Sequence, residues 1–187
     1  ATVCAADIYG ANIPEQAFPW LFDEKRNTPA AMAQHRWEHR AQLGADNWTL
    51  DFIARDAETQ ELVGVVDLSA ENFAAAREVQ TASWVLHRFQ GQGYGTLIRQ
   101  AVAEFSFSHL DAHSLRTCWI KTNRASARVS EKMGYRIYTE KKEEPAGPEK
   151  INRPMVSARL SAADYHRPEG VQVDVTGVGE QLLHMLS

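Results

Sequence analysis

The stretch Gln90-Gly91-Gln92-Gly93-Tyr94-Gly95-Thr96 decides the fold. It follows an apolar strand-like run, Glu78 to Leu86. After it, Ile98, Ala101, Val102 and Phe105 recur at the spacing of a helix that ends near Leu110. A strand, a glycine turn and a helix in that order bring main-chain N–H groups to one helix start, where no Cβ screens them from an anion. The partial positive charge of a helix N-terminus lets a diphosphate sit there without a cluster of Lys or Arg. Spacing then separates the known phosphate loops. A P-loop ends in Gly-Lys-Ser/Thr, and here Gly95 is followed by Thr96 and Leu97. A dinucleotide fingerprint needs G-x-G-x-x-G, but Thr96 occupies the third slot, and Asp111 precedes the next strand rather than ending it. The pattern Q/R-x-x-G-x-G does fit, through Gln90, Gly93 and Gly95. On this segment alone, a glycine-rich turn without a ligand stays open.

Working outward, Trp48 to Ala54 and Leu62 to Leu68 read as a hairpin around the polar stretch 55–60. Leu115 to Ile120 reads as a buried strand, and Ala125 to Met133 as a short helix stopped by Gly134. Tyr135 to Thr139 and Ile151 to Leu160 supply two more strands around the loop Lys141 to Lys150, which holds Pro145, Gly147 and Pro148. Upstream, Pro29 to Gln42 predicts an amphipathic helix with Met32, Trp37 and Leu43 on its apolar side, and Gly44 as its stop. The order predicts an α/β (α+β) fold: a single mixed, mostly antiparallel sheet with helices packed on it. The tail after Asp164 is rich in Val and Gly and ends in Leu182-Leu183-His184-Met185-Leu186, so it is expected to dock on the domain or on a partner.

The chain's 187 residues suit one domain with one sizeable core. Apolar residues at 44% and charged residues at 24% exclude a disordered or low-complexity polymer. A net charge of -4 argues against a surface that holds long nucleic acid. Cys4 and Cys118 form neither a disulfide framework nor a zinc pattern, which fits a reducing cytoplasm. No run approaches the roughly 18 apolar residues of a membrane span, and no secretory signal opens the chain. The chain begins at Ala1 rather than Met, through removal of the initiator or absence of upstream residues.

A second segment, Asn123-Arg124-Ala125-Ser126-Ala127-Arg128-Val129-Ser130-Glu131-Lys132-Met133-Gly134-Tyr135, carries N-x-x-A/S, a short helix and E-K-x-G-F/Y about 30 residues after the glycine loop. Together the two motifs resemble the GNAT superfamily of acetyl-CoA-dependent N-acetyltransferases. The resemblance covers 78–140 closely and extends to about 160. Asn-Arg-Ala-Ser and the Trp-rich N-terminal half look like the branch that includes ribosomal-protein N-terminal acetyltransferases. The resemblance implies a domain over 1–164, with acceptor-side helices in 1–45, a CoA-binding core over 78–140, and a sheet splayed where acetyl-CoA enters. It implies that Val85 and Leu86 bond the pantetheine arm through backbone groups. Amides of Gln90, Gly91, Gln92, Gly93, Tyr94, Gly95 and Thr96 would take the pyrophosphate, and Asn123 and Ser126 would line the arm near the sulfur. The family's first strand normally precedes its first helix, and nothing before Asp7 is long enough to copy it.

Direct attack by a substrate amine on the thioester needs a base, an oxyanion donor and a group that protonates the leaving thiolate. A backbone N–H at the strand end, at Val85, would serve the oxyanion. Many relatives place Tyr seven residues after the Asn, and here that slot holds Ser130. Asn123, Ser126 and Ser130 share one helical face, and Ser126 is the better acid candidate, against a capping or packing role. Glu78 begins the strand from which family enzymes often draw a carboxylate base, against a simple exposed pair with a neighbouring cation. Asp67, Glu71 and His87 are weaker alternatives. His35 and His39 have the spacing of half a zinc site, but Arg36 stands where a zincin has Glu, so they read as surface histidines and no metal is expected. Trp20, Trp37, Trp48 and Phe73 read as core, with Trp20 and Trp37 able to wall an amine site. Arg124, Arg128 and Lys132 form a basic stripe that either touches the nucleotide phosphate or is solvated.

The expected function is acetyl transfer to a primary amine of a small molecule or a protein N-terminus, in the cytoplasm, with neither membrane nor nucleic acid as partner. Relatives are often dimers, and the apolar tail offers a homodimer contact. The alternative is a non-catalytic acyl-CoA sensor or interaction module, since the usual Tyr is replaced.

Overall fold

The computed structural model describes residues 3–14, 18–142 and 154–186. A short helix α1 (Ala5–Tyr9) and a 3₁₀ turn (Pro19–Phe22) precede α2 (Pro29–Ala41). The hairpin strands β1 (Asn47–Arg55) and β2 (Leu62–Glu71) lead through a single helical turn, α3 (Phe73–Ala76), into β3 (Glu78–Val85). Then come α4 (Tyr94–Ser108), β4 (Ser114–Ile120), α5 (Arg124–Lys132), β5 (Arg136–Lys142), β6 (Pro154–Ser161) and α6 (Glu180–Leu186). The loop expected over 141–150 and the start of the last expected strand fall mostly outside the described residues. Among the described residues no strand precedes β1.

The six strands form one sheet in the order β1-β2-β3-β4-β6-β5. All pairs are antiparallel except β3–β4, which is parallel. Because strand side chains alternate, the sheet has two unlike faces. One carries Val66, Leu68, Val79, Leu115 and Leu160 under α4, with Val102, Ala103 and Phe105 closing over them. This is the core. The C-terminal segment joins it: Leu186 is 1% exposed, and its carbonyl accepts the Trp48 indole N–H at 3.2 Å. Arg167 adds an ion pair to the buried Glu104 of α4.

The other face is polar, and α2 sits on it differently from expectation. The helix is capped by Thr28, whose hydroxyl accepts from the Ala31 N–H at 3.1 Å, and it starts with Pro29. Yet none of its residues is buried, and Trp37 is 63% exposed, so Trp37 is not core. The apolar spacing was too sparse to make a stripe, and α2 docks through Arg36 and His39 instead, both held by Asp51 of β1. Trp48 and Phe73 are core, packed edge to face with centroids 5.1 Å apart. Trp20 joins a satellite cluster around Ala5, Ile8 and Leu21 that reaches Trp84.

Candidate active site

The parallel pair that should hold the sheet together at its centre is short. β3 and β4 pair only at Glu78–Ser114, Val79–Leu115 and Gln80–Arg116, although β3 runs on to Val85 and β4 to Ile120. Beyond Gln80 the strands part, and each stays fixed by its outer neighbour, β2 or β6. A fork opens in the sheet. At its vertex the guanidinium of Arg99, 6% exposed on α4, donates to the hydroxyls of Thr81 on β3 and, at 2.8 Å, Thr117 on β4.

Main-chain direction in β3 decides which groups face this fork. The Leu86 N–H donates to the Val63 carbonyl on β2 at 2.8 Å, and the Leu86 carbonyl accepts from Phe89 at 2.9 Å. Both backbone groups of Leu86 thus have partners inside the protein. Alternation turns the main chain of Ser83 and Val85 the other way, toward the fork. Sequence alone could not say which alternate set it would be, because that depends on the register with β2.

The glycine loop stands at the fork's mouth. Gly91 and Gly93 have φ of 74° and 93°, left-handed values that favour glycine, and a Cβ on either would meet nothing within 4 Å. Conformation, not crowding, demands glycine here, and the surface in front of it is open. The glutamine side chains turn inward: Gln90 Nε2 donates to the carbonyls of Ile8 at 2.7 Å and Val85 at 2.8 Å, and Gln92 Nε2 to Arg88 at 2.7 Å. What the loop presents outward is main chain. Thr96 and Leu97 N–H groups both turn back to the Gly93 carbonyl, while the first amides of α4 have no intrahelical acceptor. Tyr94 braces the loop from behind, its hydroxyl donating to Asp56 Oδ2 at 2.6 Å. Hydrogen bonds from Tyr94 and Thr59 hold the Asp56 carboxyl down at about 2, and the same bond raises the Tyr94 phenol. A diphosphate fits this cradle of amides and open glycines.

On the far side of the fork, Asn123 caps α5, its Oδ1 accepting from the Ser126 N–H at 3.1 Å. Ser126 is half-buried, whereas Ser130, one turn on, is only 4% exposed beneath the helix. Spacing put the three on one face, but depth separates them. Val129 touches the position of Gly95, with 3.6 Å between its Cγ2 and a Cβ built there, so α5 packs against the start of α4. Arg124, Arg128 and Lys132 are exposed.

The polar face supplies the carboxylates. Glu78 lies at the closed end of the fork with Arg159 Nε at 2.6 Å, Arg116 Nε at 3.7 Å and the Ser114 hydroxyl at 3.1 Å. It is a clamped ion, not an open base. Both arginines stand one same-face position along, in the row of Gln80, and reach back to it. Two shallow clefts of about 140 and 400 Å³ run over this face and meet at Ser69, Ala70 and Glu71. Next to Ser69 along the same face of β2 stands Asp67, directly opposite Asp51. Asp67 Oδ1 is buried with no hydrogen-bond partner. Burial, and then the Asp51 charge, push its carboxyl up to about 6. Asp51 itself is held by Arg36 Nη1 at 2.9 Å and by His39 Nδ1 at 3.1 Å. His39 is therefore spoken for. Among the described residues no three His, Cys, Asp or Glu side chains form a metal-binding group.

Solved structures share this architecture at low identity. A spermidine N-acetyltransferase from Vibrio cholerae, in complex with CoA and spermine, matches with a TM-score of 0.65 and 17% identity, over 77% of this chain and 81% of that one. A dodecameric form of the Vibrio cholerae enzyme in an intermediate state matches with a TM-score of 0.61 and 16% identity, over 73% and 76%. The family model described as acetyltransferase (GNAT) domain matches residues 5–136, which span the polar-face helix, the fork, the glycine loop and α5. A family model over residues 5–136 and a forked sheet shared with these structures place this chain in the GNAT acetyltransferase family: it is an N-acetyltransferase that uses acetyl-CoA.

Proposed function

We propose that the chain moves the acetyl group of acetyl-CoA to the primary amine of a small molecule or of a protein N-terminus, by direct attack of the amine on the thioester. The left-handed glycine loop at the mouth of the sheet fork carries this reading. Amides of the loop between Gln90 and Thr96 take the diphosphate at the start of α4, and the main chain of Ser83 and Val85 lines the arm in the fork. An N–H held rigidly at the thioester oxygen contributes about 3 kcal/mol to the transition state, and Val85 is placed for it. Asn123 fixes the start of α5 so that Ser126 sits beside the departing sulfur. Ser130 packs beneath it. Glu78 keeps Arg116 and Arg159 in place along the acceptor face rather than moving protons.

The amine enters over the polar face, where the clefts and half-buried carboxylates lie. The Vibrio cholerae protein acts on spermidine, so a polyamine belongs in the acceptor panel beside amino sugars and peptide N-termini. Two cysteines without a pairing pattern suit a reducing cytoplasm, and no helix among the described residues is long and apolar enough to cross a membrane. That structural neighbour forms dodecamers, and self-association of this chain is a further expectation.

The test is transfer of labelled acetyl from acetyl-CoA across that panel, with CoA binding followed separately by thermal shift. At a hundred times its Kd, CoA should stabilise the fold by about 2.7 kcal/mol. Binding without transfer to any amine would replace the enzyme with an acyl-CoA-binding module.

A further inference from the structure

We propose that Asp67 is the general base that takes the proton from the acceptor amine, an inference that rests on the acetyl-transfer reading. In register, Asp67 stands between Asp51 on β1 and Ala82 on β3. Ala82 lies just past Gln80, the last residue of β3 paired to β4, so this row of the polar face ends at the fork. Its neighbour on the same face, Ser69, lines both clefts. The residue is partly exposed, yet one carboxyl oxygen is sealed without a partner. A buried acceptor left unpaired is costly to a fold and calls for a reason, of which a catalytic role is one.

The surroundings tune it. From β1 it faces Asp51, from α2 Arg36 and His39, and from β3 the uncharged Ala82, with Gln80 beside it. Arg36 and His39 both turn to Asp51, so neither cation pairs with Asp67, which keeps a like-charged neighbour beside it. The result is a carboxyl raised to about 6: largely ionised at neutral pH, yet basic enough to accept a proton. The other carboxylates and the remaining histidine do not compete. Glu78 is clamped by two arginines, Glu71 is exposed at the far end of the cleft, and His87 packs against Gly10 on the loop side.

The amine arrives as an ammonium and gives one proton to the Asp67 carboxylate. Its freed electron pair forms the C–N bond at the thioester carbonyl, whose π pair moves to oxygen. Return of that pair breaks the C–S bond, and the bonding electrons leave on sulfur. The second nitrogen proton goes to the sulfur, giving amide and CoA thiol, while Asp67 releases its proton to water.

The test is the pH profile of kcat/KM with the best amine of the panel. The full chain should show an acid limb near pH 6. Asp67→Asn should lose that limb and about 10²- to 10⁴-fold in rate, with acetyl-CoA affinity unchanged, and Asp67→Glu should restore part of both. Asp51→Asn leaves Asp67 in place but removes the like charge and frees Arg36 and His39, so the limb should move to lower pH. This second variant decides the matter if Asp67→Asn does not fold. Wild-type rates in Asp67→Asn, or an unmoved limb in Asp51→Asn, would overturn the assignment. Wild-type protein that binds acetyl-CoA but acetylates no amine would instead remove the acetyl-transfer reading, and this inference with it.

Discussion

The two faces of the one sheet are made by the same strands and obey opposite rules. Under α4, Leu68, Val79 and Leu115 are fully buried within the apolar cluster, so each contributes by leaving water. One residue along, on the reverse face, stand Asp67, Glu78 and Arg116, all charged side chains and none fully buried, with Glu78 and Arg116 in an ion pair. The period of two along a strand thus separates holding the fold from handling a substrate. Substitutions on the two faces should therefore differ in kind, and on one axis in sign.

The largest effect is expected from Leu115→Ala, which leaves a cavity at a residue with no exposure and should cost about 2–5 kcal/mol in urea unfolding. Its folded fraction should keep its acetyl-CoA affinity; loss of affinity would mean that the faces are not separable. Gly93→Glu comes next. It forces a side chain into a left-handed backbone at φ 93° and sets a carboxylate before the amide cradle. The CoA-dependent stabilisation of about 2.7 kcal/mol at a hundred times Kd should vanish from its melting curve. An unchanged shift would move the cofactor away from the loop.

The smallest of the three sharpens the comparison most. Asp67 has a folded carboxyl raised to about 6, so its stabilising contribution is full below its unfolded value near 4 and is lost as pH rises through 6. Asp67→Asn removes that loss. At pH 8 the variant should be more stable than the wild type by about 2 kcal/mol, and the gap should close below pH 4. A variant less stable than wild type at pH 8 would break the contrast between the faces. Activity and stability would then pull the same way at this site, against the usual trade-off.

What could be read in the sequence follows the same division. Gly91 and Gly93 announce themselves because few other residues tolerate their φ, and Asn123 because a helix start needs an acceptor at its cap. The apolar runs from Trp48, Leu62, Glu78 and Leu115 mark strands whose observed limits differ by three residues at most. Register is another matter. That Asp51 faces Asp67 depends on how β1 slides along β2, and a shift of β1 by one residue would send Asp51 to the core side and away from Asp67. Without it Asp67 is one more acid in a strand, and Glu78, at the head of a strand, looks the better base. Its arginines come from β4 and β6, 38 and 81 positions further on. The same ignorance hid which backbone groups of Val85 and Leu86 turn to the fork. For α2, a sparse apolar spacing implied packing that Arg36 and His39 achieve by charge.

The indole of Trp48 is anchored by a carbonyl 138 positions later. Contacts so distant along the chain form late, since the intervening loop must close first. A nascent copy on the ribosome therefore keeps its first described strand unsealed until the residues around 186 have emerged. Any product cut short before α6 leaves the buried indole N–H of Trp48 without this acceptor.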